Sequence, residues 1–600
     1  MRNVFSLLFA ILLLLQTSHA QSVDKRLAGI DTFITRILKE WHAAGCAVAV
    51  VDKNKVILAK GFGYKDYAQK SPVTENTLFA IGSCSKAFTS SLLGMLVKEG
   101  RLDLDKPVRD YLPELKFYNE YLTDHVTARD MMCHRTGLPR HDYSWYGSKT
   151  ARDSLIYRIR FLEPNAELRQ RWQYNNFMFL VQGVLAEKLY GRKWEALVKE
   201  KIFDPLGMNS SDFSVNDLQK NSDFSYGYRE HKDSVLKMDY MNIDPIGPAG
   251  SINSSARDMS KWLMTWINGG KYEGKEIIPA SYVAQAISSQ MAIGPAVPTK
   301  EVPDVSFSNY GLGWSLVSYR AHYRVEHGGN IDGFSASTCF FPMDSIGIVV
   351  LTNQNGSAVP GIIRNAIIDR MLSLPYRDWN KLQKDAVEKN KEAAKLRQNT
   401  DSINRKLNTK PSHALVDYSG FYDNPGYGKM QIILRNDTLF LEYNNTDGKA
   451  FLQHYHYDIF NVRSTDATDD DQNDATKIRF ITNNKGDIGS LEAPLEPAVK
   501  DIVFTRTPPP MKLNKSQLQQ YVGDYELSGV TVKVYVKADS VLMVLVPGQP
   551  DYELVPTKKD EFDIKVVPGY SVKFEVNEKN EVLSLSFIQP NGIFKATKKK

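Results

Sequence analysis

A serine and a lysine stand three residues apart in the stretch IGSCSKAFTS, between a strand-like apolar run, TLFA, and a helix-like one, SLLGMLV. If a helix begins at Ser83, Lys86 lies on the same face, because residues three apart in a helix are neighbours. The amine can then accept the hydroxyl proton, and the free N–H groups of the helix start favour an oxyanion. The same residues are also typical of an N-cap serine with a solvated lysine. The spacing alone therefore leaves two interpretations open.

Two further motifs carry residues that a nucleophile needs. Tyr174 and Asn176 stand in RWQYNNFMFLVQGVLAEKLYG, just ahead of a predicted amphipathic helix. His327, Gly328 and Gly329 stand in VEHGGNIDGFSASTCFFP, on a predicted strand that a glycine turn follows. A tyrosine beside a lysine can relay a proton to a leaving group, and glycines let a substrate approach a strand closely. Together with the serine and lysine, these motifs favour nucleophilic catalysis.

The order of the motifs is distinctive. Ser-x-x-Lys is followed by Tyr-x-Asn about 90 residues later and by His-x-Gly about 150 residues after that. This arrangement resembles the serine β-lactamase and penicillin-binding-protein superfamily, in its class C-like branch of esterases, D-aminopeptidases and related hydrolases. The stretches VTARDMMCHRTGLP and GPAGSINSSARDMSKWL support the resemblance, which covers about residues 35–375. It implies an α+β fold in which an antiparallel sheet is flanked by helices.

The resemblance also implies a role for each motif residue. Ser83 would be the acylated nucleophile, and Lys86 and Tyr174 would share the general base and acid work, with the base left open between them. Asn176 would orient the lysine or the acyl amide of the substrate. The backbone N–H groups of Ser83 and Asn330 would form the oxyanion hole.

One residue departs from the family pattern. At the first position of the third motif, β-lactamases and transpeptidases usually have a lysine, whose charge binds a substrate carboxylate. Here the residue is His327, and with an ordinary pKa of about 6.5 histidine is mostly uncharged at neutral pH. The change favours esters, or amides recognised by an amine, over penicillins. Cys84 is expected to face the core rather than to act as a second nucleophile.

Three functions from different classes follow from these residues. The leading hypothesis is an exported serine hydrolase that acts on a small molecule or peptide bearing an ester or amide, by hydrolysis or by acyl transfer to an alcohol or amine. The second is a β-lactamase or a peptidase of D-Ala peptidoglycan ends. The third is a ligand-binding protein with an inactive N-terminal region. We expect neither a cofactor nor a metal; the alternate histidines His454 and His456 have no Cys or carboxylate partner in view.

Length, charge and the first residues limit the class of protein. With 600 residues the chain can form more than one core, and a net charge of +6 spread over 75 basic and 69 acidic residues does not indicate a nucleic-acid partner. Residues 1–20 have the pattern of a cleaved signal peptide, which predicts a periplasmic or secreted protein. The apolar run 4–15 is too short to predict a stable membrane span.

The texture of the sequence changes along the chain. Helix and strand patterns alternate over 24–376, and a highly charged segment, 377–411, predicts a helical linker. Two similar segments follow, 412–506 and 512–600, in which DYSGFYDNPG is answered by QYVGDYELSG. Their short alternating strands predict two small antiparallel β-barrel-like domains.

Overall fold

The computed structural model describes most of the chain. The described residues are 24–299, 304–444, 449–465, 476–508, 513–565, 570–589 and 592–599. The predicted signal segment, residues 1–20, lies outside them. Across the described residues, no helix combines the length and apolar character that crossing a bilayer requires.

A nine-stranded antiparallel sheet forms the centre of the N-terminal region. In spatial order its strands are Met291–Ala292, Ser308–Tyr310, Ser315–Tyr319, His322–Ile331, Phe334–Phe341, Ile346–Thr352, Gly45–Asp52, Lys55–Asp66 and Ser71–Pro72. The stretch CAVAVVDKNKVILAKGFGY forms a hairpin in this sheet, and every residue of IGIVVLT is buried. The predicted α+β class is confirmed.

Helices cover both faces of the sheet. Side chains alternate along a strand, so Ala49 joins one hydrophobic core and Val50 joins the other.

The α-helices of the described residues are Ile30–Glu40, Lys86–Lys98, Glu120–His125, Ala128–Met132, Arg152–Arg158, Asn176–Tyr190, Trp194–Val198, Asp204–Leu206, Val215–Leu218, Ala256–Ile267, Ala280–Ala286, Val359–Met371, Trp379–Asn404, Leu415–Tyr418 and Lys515–Gln519. In the described part of the N-terminal region, three short strand pairs lie outside the main sheet: Phe79–Ala80 with Asn253–Ser254, Gly227–His231 with Ser234–Met238, and Lys271–Tyr272 with Lys275–Glu276.

One helix differs from its sequence prediction. The helix Asn176–Tyr190 was expected to be amphipathic, but it is buried on every side over most of its length. It lies between the helix Lys86–Lys98 and the turn Asp244–Ala249. A helix that is apolar all round belongs in the interior of a protein, and here it brings Asn176 to Lys86.

Two closed eight-stranded barrels follow the long helix, as predicted. The strands of the first barrel are Gly420–Asn424, Gly428–Arg435, Thr438–Tyr443, Ala450–His456, Ile459–Ser464, Lys477–Thr482, Ile488–Ala493 and Ile502–Thr507. Those of the second barrel are Gly523–Leu527, Val530–Lys537, Val541–Leu545, Tyr552–Lys558, Glu561–Ile564, Ser571–Val576, Val582–Gln589 and Gly592–Lys598. The repeated tyrosines make the same bond in both: Tyr422 donates to the Tyr418 carbonyl and Tyr525 to the Tyr521 carbonyl.

The two barrels differ in how they join the rest of the chain. The hydrophobic core of the first barrel is continuous with the core that contains the helix Lys86–Lys98. The core of the second barrel is separate. The first barrel is therefore packed on the N-terminal region as part of one interior.

Candidate active site

Ser83 and Lys86 meet at the start of a central helix. A 3-10 turn spans Gly82–Ser85, and the α-helix proper begins at Lys86. In a 3-10 turn the side chains at positions i and i+3 eclipse each other, and Lys86 Nζ lies 3.0 Å from Ser83 Oγ. The contact that the spacing predicted is present, although the α-helix begins three residues later than the sequence argument assumed.

The Lys86 amine is removed from water. Its side chain is 0% exposed, and burial, reinforced by the nearby Arg140 guanidinium, lowers the pKa of Lys86 well below its ordinary value. The Asp142 carboxylate opposes this shift only in part. An amine that loses its proton readily in this way can accept one from a hydroxyl.

Asn176 fixes the direction of the amine. Its Nδ2 donates to Asp142 Oδ1 at 2.9 Å, so its Oδ1 faces Lys86 Nζ, at 2.8 Å. The Ala249 carbonyl oxygen lies 2.7 Å from the same Nζ. Both oxygens only accept hydrogen bonds, so they take the two N–H bonds of a neutral amine. The lone pair then points to Ser83 Oγ.

Tyr174 lies against the same pair of residues. Its ring centroid is 4.8 Å from Lys86 Nζ, and its phenol is hydrogen bonded to the Ser83 side chain. Burial raises the pKa of Tyr174 above its ordinary value, although the bond to Ser83 and the charge of Arg140 oppose the rise. The phenol of Tyr174 therefore keeps its proton at neutral pH, whereas the neighbouring Lys86 amine loses its proton more readily.

The strand His322–Ile331 lies against the serine turn. Gly82 has φ +51°, and a Cβ atom there would lie 2.8 Å from Asn330 N. A Cβ atom on Gly329 would lie 1.9 Å from the Ile81 carbonyl oxygen and 3.2 Å from Ser83 N. Because residues 82 and 329 are glycines, the backbone nitrogens of Ser83 and Asn330 can come close together. Gly328, by contrast, is exposed.

His327 is buried and neutral. Its Nδ1 lies 2.6 Å from the Gly328 carbonyl oxygen and therefore carries the proton. Its Nε2 accepts a hydrogen bond from the Tyr310 hydroxyl at 2.9 Å. Burial, with a further contribution from Lys86, lowers the pKa of His327 to about 4. The side chain offers a substrate no fixed positive charge.

Cys84 faces the core, as expected. Its thiol donates to the His327 carbonyl oxygen at 3.3 Å, and burial raises its pKa to about 12. A thiol in this state is a poor nucleophile.

A cavity of about 440 Å³ opens over Ser83, within the usual range for small-molecule sites. Its other lining residues are Gly82, Arg140, Asp142, Tyr143, Trp145, Tyr146, Asn176, Ile243, Ile246, Ala249, Gly250, Asn330, Ile331, Asp332 and Asn355. The nucleophile therefore lies at the wall of a pocket that mixes apolar and charged side chains.

Comparison with known proteins shows the family of the chain. The family model described as Beta-lactamase matches residues 30–371, more than half of the chain. The chain belongs to the beta-lactamase family. A second model, Domain of unknown function (DUF3471), matches residues 404–506, which contain most of the first barrel. The serine, lysine, tyrosine and histidine described above all lie within the segment that matches the beta-lactamase family.

Individual relatives cover different shares of the chain. The Unguisins hydrolase ungD' of Aspergillus campestris is 30% identical over 421 residues, which are 67% of this chain and 76% of that protein. Protein flp of Staphylococcus aureus is 25% identical over 342 residues, 56% of this chain and 65% of that protein. The octameric penicillin-binding protein homologue from Pyrococcus abyssi superposes with a TM-score of 0.53 at 21% identity, covering 80% of this chain and 100% of that one. This last likeness concerns the fold.

The neutral form of His327 predicts how the activity of a His327 variant of this beta-lactamase-family chain depends on pH. A histidine whose pKa is lowered to about 4 stays neutral from pH 5 to 8, so its charge cannot produce an acid limb near its ordinary value of about 6.5. We expect the pH profiles of hydrolysis for His327→Asn and the wild type to run parallel over this range, whatever their absolute rates. A limb that disappears in the variant would show that His327 titrates during catalysis.

Sequence reasoning did not single out several residues of the site. Arg140 lies with its guanidinium carbon 4.9 Å from the Tyr174 ring and donates to Asp142 at 2.6 Å. His134, in the quoted stretch VTARDMMCHRTGLP, is buried, and its ring centroid is 4.4 Å from that of Tyr174. The signal available was the dense polar run HRTGLPRHD, which is unusual for a segment that the structure buries.

Proposed function

We propose that this chain is a serine hydrolase that acts on an ester or amide through an acyl-enzyme on Ser83. The observation that carries the proposal is the arrangement around Lys86 Nζ, where Asn176 and Ala249 occupy two directions and Ser83 Oγ the third. A neutral amine held in this way has its lone pair on the hydroxyl, which is the geometry of a general base.

Proton transfer follows from the two pKa directions. As Ser83 Oγ bonds to the substrate carbonyl carbon, its proton passes to Lys86 Nζ. The C–O or C–N bond of the substrate then breaks, and the leaving group takes the phenol proton of Tyr174. Lys86 then transfers its extra proton to the Tyr174 oxygen. In the second half of the reaction water attacks the acyl carbon and gives a proton to Lys86 Nζ; the bond to Ser83 Oγ then breaks and Lys86 returns the proton to Ser83 Oγ. An alcohol or amine in place of water gives acyl transfer. Lys86 is the base in this scheme because its pKa is lowered while that of Tyr174 is raised.

The developing negative charge needs donors. We assign this role to the backbone N–H groups of Ser83 and Asn330, which the glycines at 82 and 329 allow to approach each other. A preorganised pair of donors of this kind contributes strongly to acyl transfer.

The substrate class follows from the residue at the first position of the third motif. A neutral His327 gives no fixed charge for a carboxylate at the position where the family usually has lysine. This favours esters and amides over penicillins, and a relative that bears the name Unguisins hydrolase supports a hydrolase. The pattern of residues 1–20 supports export to the periplasm or medium.

The test is a substrate panel on purified protein. p-Nitrophenyl esters, D-amino acid anilides and nitrocefin are compared, with Ser83→Ala as the blank. We expect turnover of an ester or anilide that the blank lacks, and slower turnover of nitrocefin. Nitrocefin hydrolysis as fast as that of the best ester would favour the β-lactamase alternative, and no turnover of any substrate would favour a ligand-binding protein.

A further inference from the structure

One wall of the cavity is fastened to the first barrel. The wall is the segment 140–146, which contributes Arg140, Asp142, Tyr143, Trp145 and Tyr146 to the lining. Near its start, the His141 backbone N–H donates to Glu496 Oε2 at 2.8 Å. His141 Nε2 lies 2.9 Å from the Glu163 carbonyl oxygen and so carries the ring proton, which leaves Nδ1 to accept from the Tyr427 hydroxyl at 2.6 Å.

These bonds are buried and hold a backbone that would otherwise relax. His141 is 0% exposed, Tyr427 1% and Glu496 7%. The backbone of His141 is in the left-handed region, with φ +50°, a conformation that is uncommon for a residue with a side chain. Here the surroundings include two side chains of the barrel.

The rest of the segment is held by the same barrel. The Tyr443 hydroxyl donates to the Tyr143 carbonyl at 2.7 Å. Asn444 Nδ2 donates to the Tyr146 carbonyl at 2.9 Å. The barrel thus holds this wall of the pocket at several points between His141 and Tyr146.

The segment reaches the base directly. Asp142, the residue after His141, accepts from Asn176 at 2.9 Å, and Asn176 in turn accepts from Lys86 at 2.8 Å. Arg140, the residue before His141, lies over the Tyr174 ring. A chain of hydrogen bonds therefore runs from the barrel, through the loop, to the amine beside Ser83.

We propose that the first barrel is a positioning element of the active site: Tyr427 and Glu496 hold His141 so that Asp142 keeps Asn176, and through it Lys86, in the reactive direction. The proposal rests on the proposed function, because it takes Lys86 to be the base. Tyr427 and Glu496 are positioning residues, since neither lines the cavity.

Loosening the segment has a predictable effect on the base. The charged and titratable groups that face Lys86 are Ser83, Cys84, Arg140, Asp142 and Tyr174, with His134 and His327 nearby. Moving the segment away admits water and removes Arg140, and both changes raise the pKa of Lys86. The loss of Asp142 lowers the pKa of Lys86, but by a smaller amount. The acid limb of the pH profile should therefore move to higher pH.

The experiment uses full-length variants and one p-nitrophenyl ester. Tyr427→Phe removes one hydroxyl, Glu496→Ala removes the acceptor for the His141 N–H, and Glu496→Gln keeps an acceptor oxygen. Tyr418→Phe is the matched control: Tyr418 is an equally buried tyrosine of the same barrel region, and its hydroxyl bonds to Asp458 instead. The values of kcat, KM and kcat/KM are measured from about pH 5 to 9, together with Tm and fluorophosphonate labelling of Ser83.

We expect Tyr427→Phe and Glu496→Ala to lower kcat/KM by about threefold to tenfold, the rate equivalent of one hydrogen bond, and to move the acid limb upward. Glu496→Gln should restore most of the loss, and Tyr418→Phe should change Tm without moving the limb. If the first two variants match Tyr418→Phe in rate and profile, the barrel is only packed there and the proposal fails. Absence of labelling in the wild type would instead overturn the proposed function.

Discussion

Lys86→Ala and Tyr174→Phe should each lower kcat for ester hydrolysis by roughly 100-fold or more, the usual size of general acid–base effects. Lys86 supplies the lone pair 3.0 Å from Ser83 Oγ, and Tyr174 supplies the proton for the leaving group. Lys98→Ala is the matched control, because Lys98 ends the same helix and is exposed. It should keep nearly the full rate.

The pH profiles separate the two roles. The neutral form of Lys86 is the active one, so the rate is complete above its lowered pKa and falls as pH drops through it. We expect Tyr174→Phe to keep this acid limb at a lower rate and Lys86→Ala to lose it. If both variants retain near-normal rates, or if the limb persists without Lys86, the proton-transfer scheme is wrong.

A pair of neighbouring glycines should respond very differently to the same substitution. In Gly329→Ala the new methyl group would lie 1.9 Å from the Ile81 carbonyl oxygen, so the strand and the serine turn must move apart. The N–H groups of Ser83 and Asn330 then separate, and loss of one oxyanion donor costs about 100- to 1,000-fold in kcat. In Gly328→Ala the nearest atom is the Ala336 carbonyl oxygen at 3.7 Å, an ordinary contact.

The comparison is a ratio of kcat between the two variants, checked by their thermal unfolding. We expect Gly328→Ala to stay within a few-fold of the wild type and Gly329→Ala to lose most of its activity. Equal activity of the two would contradict the placement of the oxyanion donors at this contact.

Local features of the site could be predicted from the sequence because they depend on spacing. Ser83 and Lys86 meet because any helical turn brings residues three apart together. The two barrels were recognisable because their strands alternate with period two, and because the tyrosines of one repeat return in the other.

Features that depend on tertiary packing were not predictable in the same way. The sequence predicts an exposed face for the helix Asn176–Tyr190, because nothing within the helix shows that other elements surround it. The backbone N–H of His141 donates a hydrogen bond to Glu496, which is 355 residues away in the sequence. The neutral state of His327 depends on burial and on Lys86, which stands on the helix that follows the serine turn.

The most direct test of the central claim is the mass of the intact protein after reaction with a fluorophosphonate, followed by peptide mapping. Our account predicts the mass of a single adduct, located on the peptide that contains Ser83, and none in Ser83→Ala. An adduct that persists in Ser83→Ala, or that maps to another peptide, would contradict it.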